Sequence, residues 1–404
     1  MYIEKKKTYL SLLFILIASY ILFIITISFI NKDFFKDFFF LFFDDRFMDF
    51  NNSIRDAKDS TVYSVQGVIY PPLINLMYKF IGLFLPEEAV NSSFADRYIT
   101  WNYPSFLVIY IIIQVLSLAF LAYLFIKSDK NKLLITILYL IFVTSMPVVW
   151  AFERGNSIIL SCIFLIGFFL WKDSDKKIYR EFSLLFLAIS AAIKIYPFFF
   201  VLVLLKEKRI KDLIKTIIYV VILVFVPFVF YDGYNGISQM VSNIFSFQES
   251  GSAKISYYAT NIQLFMKRFN IDIPQFIGIG FMVLYLAIAM LTKKNWITTL
   301  MITFFILSFS GSQIKYNAMY LFIPIIVILT KEKFEIIEFI SLIILVLMII
   351  PNGFEIIVNG ENTLLNFNML YPLMIVLLCI SIFILIKDFY LERKDKKQEV
   401  VNND

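Results

Sequence analysis

Apolar residues in this chain fall in long blocks separated by short polar clusters, and the blocks carry the fold. Runs long enough, or nearly so, to cross a bilayer occupy 8–30, 104–126, 133–152, 157–171, 213–230, 275–292, 296–310, 318–330, 336–350 and 367–386. A hydrocarbon core of ~30 Å needs about 20 helical residues. The pattern therefore predicts an all-α polytopic membrane protein with about 10–12 membrane helices. One further apolar stretch, 182–205, is broken at its middle by Lys194 and Pro197. Proline interrupts the helical hydrogen-bond ladder, and within a membrane such a break is tolerated where protein encloses the backbone or a cavity receives it.

The polar clusters set the expected orientation. Basic groups recur at 127–132, 172–180, 206–215, 293–294, 331–333 and 387–397. With the N-terminus in the cytoplasm, the positive-inside rule places all of them inside on one condition. The stretch 182–205 must enter and leave on the same face, as a re-entrant-like hairpin of two short arms meeting near Lys194. A single crossing there would put every later basic cluster outside, so the hairpin is preferred. Each arm of about 11 residues reaches only ~17 Å. The outer face then carries a long first loop, 31–103, a second loop, 231–274, and shorter turns at 152–156, 310–317 and 351–366. Two apolar runs in the first loop, 34–43 and 73–85, are too short to span and are expected as interfacial helices.

No internal repeat or soluble domain is visible. The expectation is one membrane domain over 1–393 and a disordered cytoplasmic tail over 394–404. Lys5-Lys6-Lys7 and the apolar run that follows look like a signal peptide, but the run exceeds the ~7–15 residues of a signal core. It is read as a retained first helix, in a plasma-membrane protein with both termini cytoplasmic.

Composition narrows the chemistry. The chain has 404 residues, 60% of them hydrophobic, with a net charge of +6. That charge is no nucleic-acid signal, because the basic residues mark loops between apolar runs. The two cysteines lie inside apolar runs, so neither a disulfide framework nor a thiolate metal site is expected. The chain has no histidine, which removes the commonest general base and metal ligand. Acid–base work falls to Asp, Glu, Tyr or Lys.

Arg154 and Lys194 are the costly residues. They stand in Trp150-Ala-Phe-Glu-Arg-Gly-Asn156 and Ala191-Ala-Ile-Lys-Ile-Tyr-Pro197, and a cation at the centre of a spanning helix costs ~2.5–3.5 kcal/mol on insertion scales. Such a charge calls for an anion. Gly155 permits close approach of a ligand, and Asn156 precedes a helix start, where free N–H groups favour an anion. Lys315, in Ser310-Gly-Ser-Gln-Ile-Lys-Tyr-Asn317, is a third external cation. Together the three suffice to neutralise one phosphate diester. The counterpart is the cluster Asp44-Asp-Arg-Phe-Met-Asp-Phe-Asn-Asn52, where a positioned carboxylate could take a proton from a sugar hydroxyl. Tyr70 and Tyr196 are candidate substrate contacts, although the Pro71-Pro72 pair beside Tyr70 is explained by a helix start alone. No Walker loop or nucleotide-binding glycine pattern occurs, which argues against a cytosolic nucleotide-sugar donor.

Glu153-Arg-Gly-Asn-Ser-Ile-Ile-Leu160, about 30 mostly apolar residues, and then Ala191-Ala-Ile-Lys-Ile-Tyr-Pro197 with a basic turn resemble the core of glycosyltransferase family 87. Asp49-Phe-Asn-Asn52, with Tyr63 and Tyr70-Pro-Pro72 downstream, is similar to that family's acidic first loop. The resemblance covers roughly residues 8–330. It implies a GT-C-type membrane bundle and inverting transfer of a sugar, a hexose such as mannose, from a polyprenyl-phosphate carrier. The acceptor would be a hydroxyl of a cell-envelope glycan or glycolipid on the extracytoplasmic face. It assigns the base to Asp49, with Asp44 and Asp45 as alternates, and the donor phosphate to Arg154, Lys194 and Lys315. Asn156 departs from the family's frequent Gln, and Lys315 stands near where many members carry His.

The expected partners are therefore the lipid-linked donor, the glycan acceptor and the bilayer, with no nucleic acid. No cofactor is expected, and a divalent cation held by carboxylates is left open. Two other readings stay open: a polysaccharide polymerase or ligase using a pyrophosphate-linked donor, and a lipid or sugar transporter.

Overall fold

The computed structural model describes residues 2–3, parts of 10–26, 47–65, 67–91, 103–128, 131–250, 266, 270–309, 314–350, 355–358 and 361–403; for 314–315 and 355–369 only the backbone is described. Most of the run 8–30, the run 34–43, Asp44 and Asp45 lie outside the described residues.

The described chain is overwhelmingly helical. The first loop contributes α1 (Met48–Ala57) and α2 (Pro72–Gly82). Next come α3 (Pro104–Lys127), α4 (Lys132–Thr144), α5 (Met146–Arg154), α6 (Ile158–Trp171) and α7 (Lys177–Ile193). After a break at Lys194, the 3-10 turn Tyr196–Phe200 leads into α8 (Val201–Lys206), then α9 (Ile210–Phe225) and α10 (Gly233–Ser250). The second half adds α11 (Gln275–Leu291), α12 (Asn295–Phe309), α13 (Phe322–Leu329), α14 (Ile336–Ile349) and α15 (Leu365–Asn403). Among the described residues, extended structure is confined to two short antiparallel pairs, Tyr2–Ile3 with Phe334–Glu335 and Glu355–Val358 with Glu361–Leu364.

Helix ends follow their sequence signals. Pro72 and Pro104 sit in the first turn of α2 and α3, where a missing N–H costs nothing. The Asn131 side chain accepts the Leu133 N–H at 2.8 Å and starts α4. Gly155, in the left-handed region at φ 71°, ends α5. Glu335 and Glu338 form a reciprocal box at the start of α14.

The all-α polytopic class stands, with one adjustment. Among the described residues, three helices are long and apolar enough to cross a membrane, 104–127, 210–230 and 370–394, and a fourth if α4 and α5, bent by 51°, count as one span. The other apolar runs become helices of 10–17 residues, each covering at most about 25 Å. Proline accounts for part of this: Pro147 stands at the α4–α5 bend, and Pro197 and Pro227 lie in 3-10 turns. In the 394–404 region, where a disordered tail is expected, the backbone continues α15 as far as Asn403.

The hairpin at 182–205 is formed. α6 and α7 pack antiparallel, with Ser161 Oγ donating to the Ser190 carbonyl at 3.0 Å and Ser190 Oγ to the Ser161 carbonyl at 2.7 Å. Beyond the break the chain turns back, and Glu207 meets Lys172 at 2.6 Å while Arg209 meets Asp173 at 3.0 Å. Both feet of the hairpin therefore stand at one end of the bundle. Lys215–Glu181, Lys294–Glu335, Lys331–Glu338 and Lys293–Glu392 join them there, together with the strand at Tyr2–Ile3. This basic end holds a cleft of about 350 Å³ lined in part by Lys172, Glu207, Lys294, Trp296 and Lys331. Each of its lysines faces a carboxylate.

The core lies between α6, α12 and α13, whose Ile163, Ile166, Leu300, Phe304, Ile326 and Leu329 are fully buried or nearly so. The outer faces of α3 and α9 expose Ile111, Val115, Ile218 and Ile222. In water such a surface would drive association; hydrocarbon solvates it. The tip of α2 likewise exposes Phe80 and Phe84, 60% and 61% accessible.

Candidate active site

At the end opposite the basic cleft, α1, the α5–α6 turn and the apex of the hairpin converge. Three local features bring them together. Gly155 closes α5 in a conformation L side chains rarely adopt, and a Cβ there would lie 2.5 Å from Phe50 Cβ, so only glycine lets α1 come this close. Phe47, the residue before α1, is itself left-handed at φ 54°. Its N–H donates to the Glu153 carbonyl at 2.8 Å and its ring sits edge-on to Tyr110 at 4.9 Å. A bulky residue in this region carries about 1–3 kcal/mol of strain, which the surrounding contacts must offset. Phe50 adds edge contacts to Tyr110 and Phe106, both at 5.2 Å. Tyr110 Oη in turn donates to the Phe152 carbonyl.

This clamp aims Asp49. Arg154 donates to Asp49 Oδ1 through Nη2 at 2.9 Å and Nε at 3.3 Å, and Asn156 Nδ2 donates to Oδ2 at 2.7 Å. The Asn156 Oδ1 accepts the Ile158 N–H at 3.0 Å, so the same side chain caps α6 and holds the carboxylate. Charge-assisted bonds of this kind are the stronger ones in proteins. A carboxylate offers about four lone-pair sites, and these donors engage three. Behind Asn156 a cavity of about 20 Å³ touches Phe50, Tyr78, Gly155 and Ser157, room for about one water.

Lys194 ends α7 in extended conformation, φ −138° and ψ 132°, and is 5% exposed. Its ammonium lies over the Tyr70 ring, 4.0 Å from the centroid, a cation–π contact. It also feels the Asp49 charge. Among the described residues no carboxylate pairs with it within salt-bridge distance. Tyr70 thus covers Lys194 and lies within electrostatic reach of Asp49 and Arg154. Burial, reinforced by the Asp49 charge, holds the Tyr70 phenol well above its usual range. Burial also pushes Tyr78, which stands beside Ser53 and Ser157, up to about 12. Both tyrosines stay neutral hydroxyls near neutral pH, and Asp49 is the carboxylate that the clamp holds.

The structure therefore unites Asp49, Tyr70, Arg154, Asn156 and Lys194. Asp49 is an anion that meets Arg154. Tyr196 is half-buried beside the apex, its ring 6.5 Å from Phe309 of α12. Lys315 lies on the short helix Ile314–Asn317, which packs on α5, with neighbouring Tyr316 5.1 Å from Trp150; its side chain is outside what is described. No group of three or more His, Cys, Asp or Glu side chains converges among the described residues. Phe47, Phe50, Tyr78 and Tyr110 complete the site without standing out in the sequence. Phe47 and Phe50 show in the sequence only as aromatic density around Asp49, which reads as an apolar setting, and Tyr78 and Tyr110 carry no local signal.

A family model described as glycosyltransferase family 87 matches residues 69–310. The matched region contains Tyr70, Arg154, Asn156, Lys194 and Tyr196, and begins after Asp49. No curated protein and no solved structure matches the chain.

Proposed function

This chain belongs to glycosyltransferase family 87, and on that premise we propose that it transfers a hexose from a polyprenyl-phosphate donor to a glycan or glycolipid hydroxyl with inversion at the anomeric carbon. One observation carries the reading: a carboxylate held at both oxygens lies within electrostatic reach of a buried ammonium that has no carboxylate of its own among the described residues. A donor phosphate supplies the missing anion. Asp49 takes the proton of the acceptor hydroxyl through its remaining lone pair as that oxygen attacks the anomeric carbon. The bond from that carbon to the phosphate oxygen breaks, and the electron pair leaves with the lipid phosphate.

The leaving group departs as a monoester and gains charge in the transition state. A preorganised cation aimed at that charge lowers the barrier, and Lys194 fills the role, with Tyr70 covering one side of the ammonium. Arg154 and Asn156 orient the base. Lys315 is a further candidate for the donor phosphate. The topology favours an extracytoplasmic site, because the basic loops gather at the opposite end. This orientation suits a lipid carrier whose phosphate lies at the membrane surface and whose chain lies in the bilayer.

Purified protein incubated with a synthetic polyprenyl-phosphate hexose and a glycolipid acceptor tests the reading. Transfer with inversion supports it. Turnover of a pyrophosphate-linked donor alone would replace it with a polymerase or ligase, and no turnover of either donor would favour a transporter.

A further inference from the structure

Tyr70 covers Lys194 but belongs to no helix or strand; it sits in the loop between Val65 and α2, with Gly67 at φ 64°. Its position is fixed through backbone carbonyls. The Tyr70 carbonyl accepts from Tyr63 Oη at 2.9 Å and from Asn75 Nδ2 at 3.4 Å, and Asn75 Nδ2 also donates to Tyr63 Oη at 3.0 Å. Tyr63 and Asn75 are each 1% exposed. The turn is closed from outside the first loop: Asn243 Nδ2 donates to the Tyr63 carbonyl at 2.7 Å and to the Val68 carbonyl at 3.1 Å. One amide thereby staples two carbonyls on either side of the turn.

Asn243 comes from α10, which follows the second spanning stretch and is seated on it. Tyr63, Phe228, Tyr231 and Met240 form a small buried cluster there, with Tyr63 5.2 Å from the Phe228 ring and edge-on to Tyr231 at 6.0 Å. The outer end of the 210–230 span is thus mechanically linked, through α10 and the turn, to the ring over Lys194. Only a donor at position 243 serves two carbonyls, so the chemistry of the amide matters, and size alone does not satisfy it.

We propose that Asn243, acting with Tyr63 and Asn75, is a positioning residue: it holds Tyr70 over Lys194 and so prepares the ammonium for the donor phosphate. The inference rests on the donor-binding role given to Lys194 above. It makes the second external loop part of the donor site without touching the donor.

Asn243→Asp keeps the shape and replaces the donor with acceptors facing two carbonyls. It should raise the KM for a polyprenyl-phosphate hexose about tenfold and lower kcat by a smaller factor, about threefold, because Lys194 both binds the donor phosphate and meets the charge it gains on leaving. In a Tyr70→Leu background the same change should add almost nothing, because the two residues act through one contact. Backbone amides of 67–70 should exchange with deuterium faster in Asn243→Asp than in the parent. Asn243→Ala replaces it if the aspartate variant does not fold, and Asn243→Gln, which retains the amide, should recover part of the affinity. An unchanged KM, or a penalty as large in the Tyr70→Leu background as in the parent, overturns the proposal. If the parent enzyme turns over no such donor, the proposed function fails, and the exchange measurement alone decides whether the staple exists.

Discussion

Arg154 and Asp49 lie 105 residues apart in sequence and meet at 2.9 Å. The pair is half-sheltered, with side-chain exposures of 19% and 16%. It gives the cation of the α5–α6 turn its anion and gives α1 its anchor in the bundle. A carboxylate fixed in this way cannot swing to meet a substrate; the acceptor hydroxyl must come to it. Rigid placement of a base is worth more to catalysis than its intrinsic strength alone.

Asp49→Asn should lower transfer about 10²–10⁴-fold, the usual contribution of a positioned general base. The new amide would also set a donor against Asn156 Nδ2, so the denaturation midpoint should fall by the equivalent of about 1–3 kcal/mol. Asp44→Asn and Asp45→Asn should stay within a few-fold of the parent. Transfer assays on the three variants check this, and activity that survives in Asp49→Asn but is lost in either neighbour would move the base.

Lys194→Met retains the length of the side chain and removes its charge. Donor dissociation constants, measured by titration with a non-hydrolysable polyprenyl phosphonate, should rise about tenfold or more. The folded fraction should not fall, since an apolar group suits a site that is 5% exposed. An unchanged constant would return Lys194 to a purely structural role.

Gly155→Ala should be costly, because the added Cβ meets Phe50 at 2.5 Å in a positive-φ conformation. About 1–3 kcal/mol of stability should be lost, and activity should fall further than the folded fraction as α1 is pushed off Arg154. Gly280→Ala is the control: a Cβ there meets open space within a helix, so thermal unfolding should be unchanged or slightly later.

Cysteine labelling tests the hairpin. In a background without Cys162 and Cys379, Asp175→Cys and Lys211→Cys should react with an impermeant maleimide only after permeabilisation. Tyr234→Cys, 82% exposed, should react in intact cells. Opposite sidedness for positions 175 and 211 would mean a full crossing between them.

Much of this is legible in the chain itself. Among the described residues, block hydropathy locates most helix starts to within a few residues, because burial in hydrocarbon demands apolar runs and leaves few alternatives. The cost of Lys194 and the break at Pro197 point to the hairpin, once the basic clusters have to share a face. What composition does not convey is pairing. Asp49 stands out only through a resemblance; nothing local distinguishes it from Asp44 or Asp45. That Arg154 meets Asp49, and so has its anion within the chain, depends on a glycine whose missing Cβ admits Phe50. Long-range packing of this kind leaves no periodic trace. Asn75 and Asn243 are invisible for the same reason: an asparagine bridging two carbonyls looks like any polar loop residue. Hydropathy overestimates helix length where apolar composition continues through a proline-bearing 3-10 turn, since it registers solubility in lipid and not ladder continuity.

The hairpin that closes at Lys172 and Glu207 also sets a schedule. Asp49, Tyr70, Arg154, Asn156 and Lys194 all precede its returning foot. A ribosome that has released that foot into the bilayer has already delivered every one of them. Asn243 emerges next and can clamp Tyr70 while the remaining helices are still being made. The order of synthesis thus delivers these residues ahead of α11 to α15, and Lys315, between α12 and α13, reaches the site last.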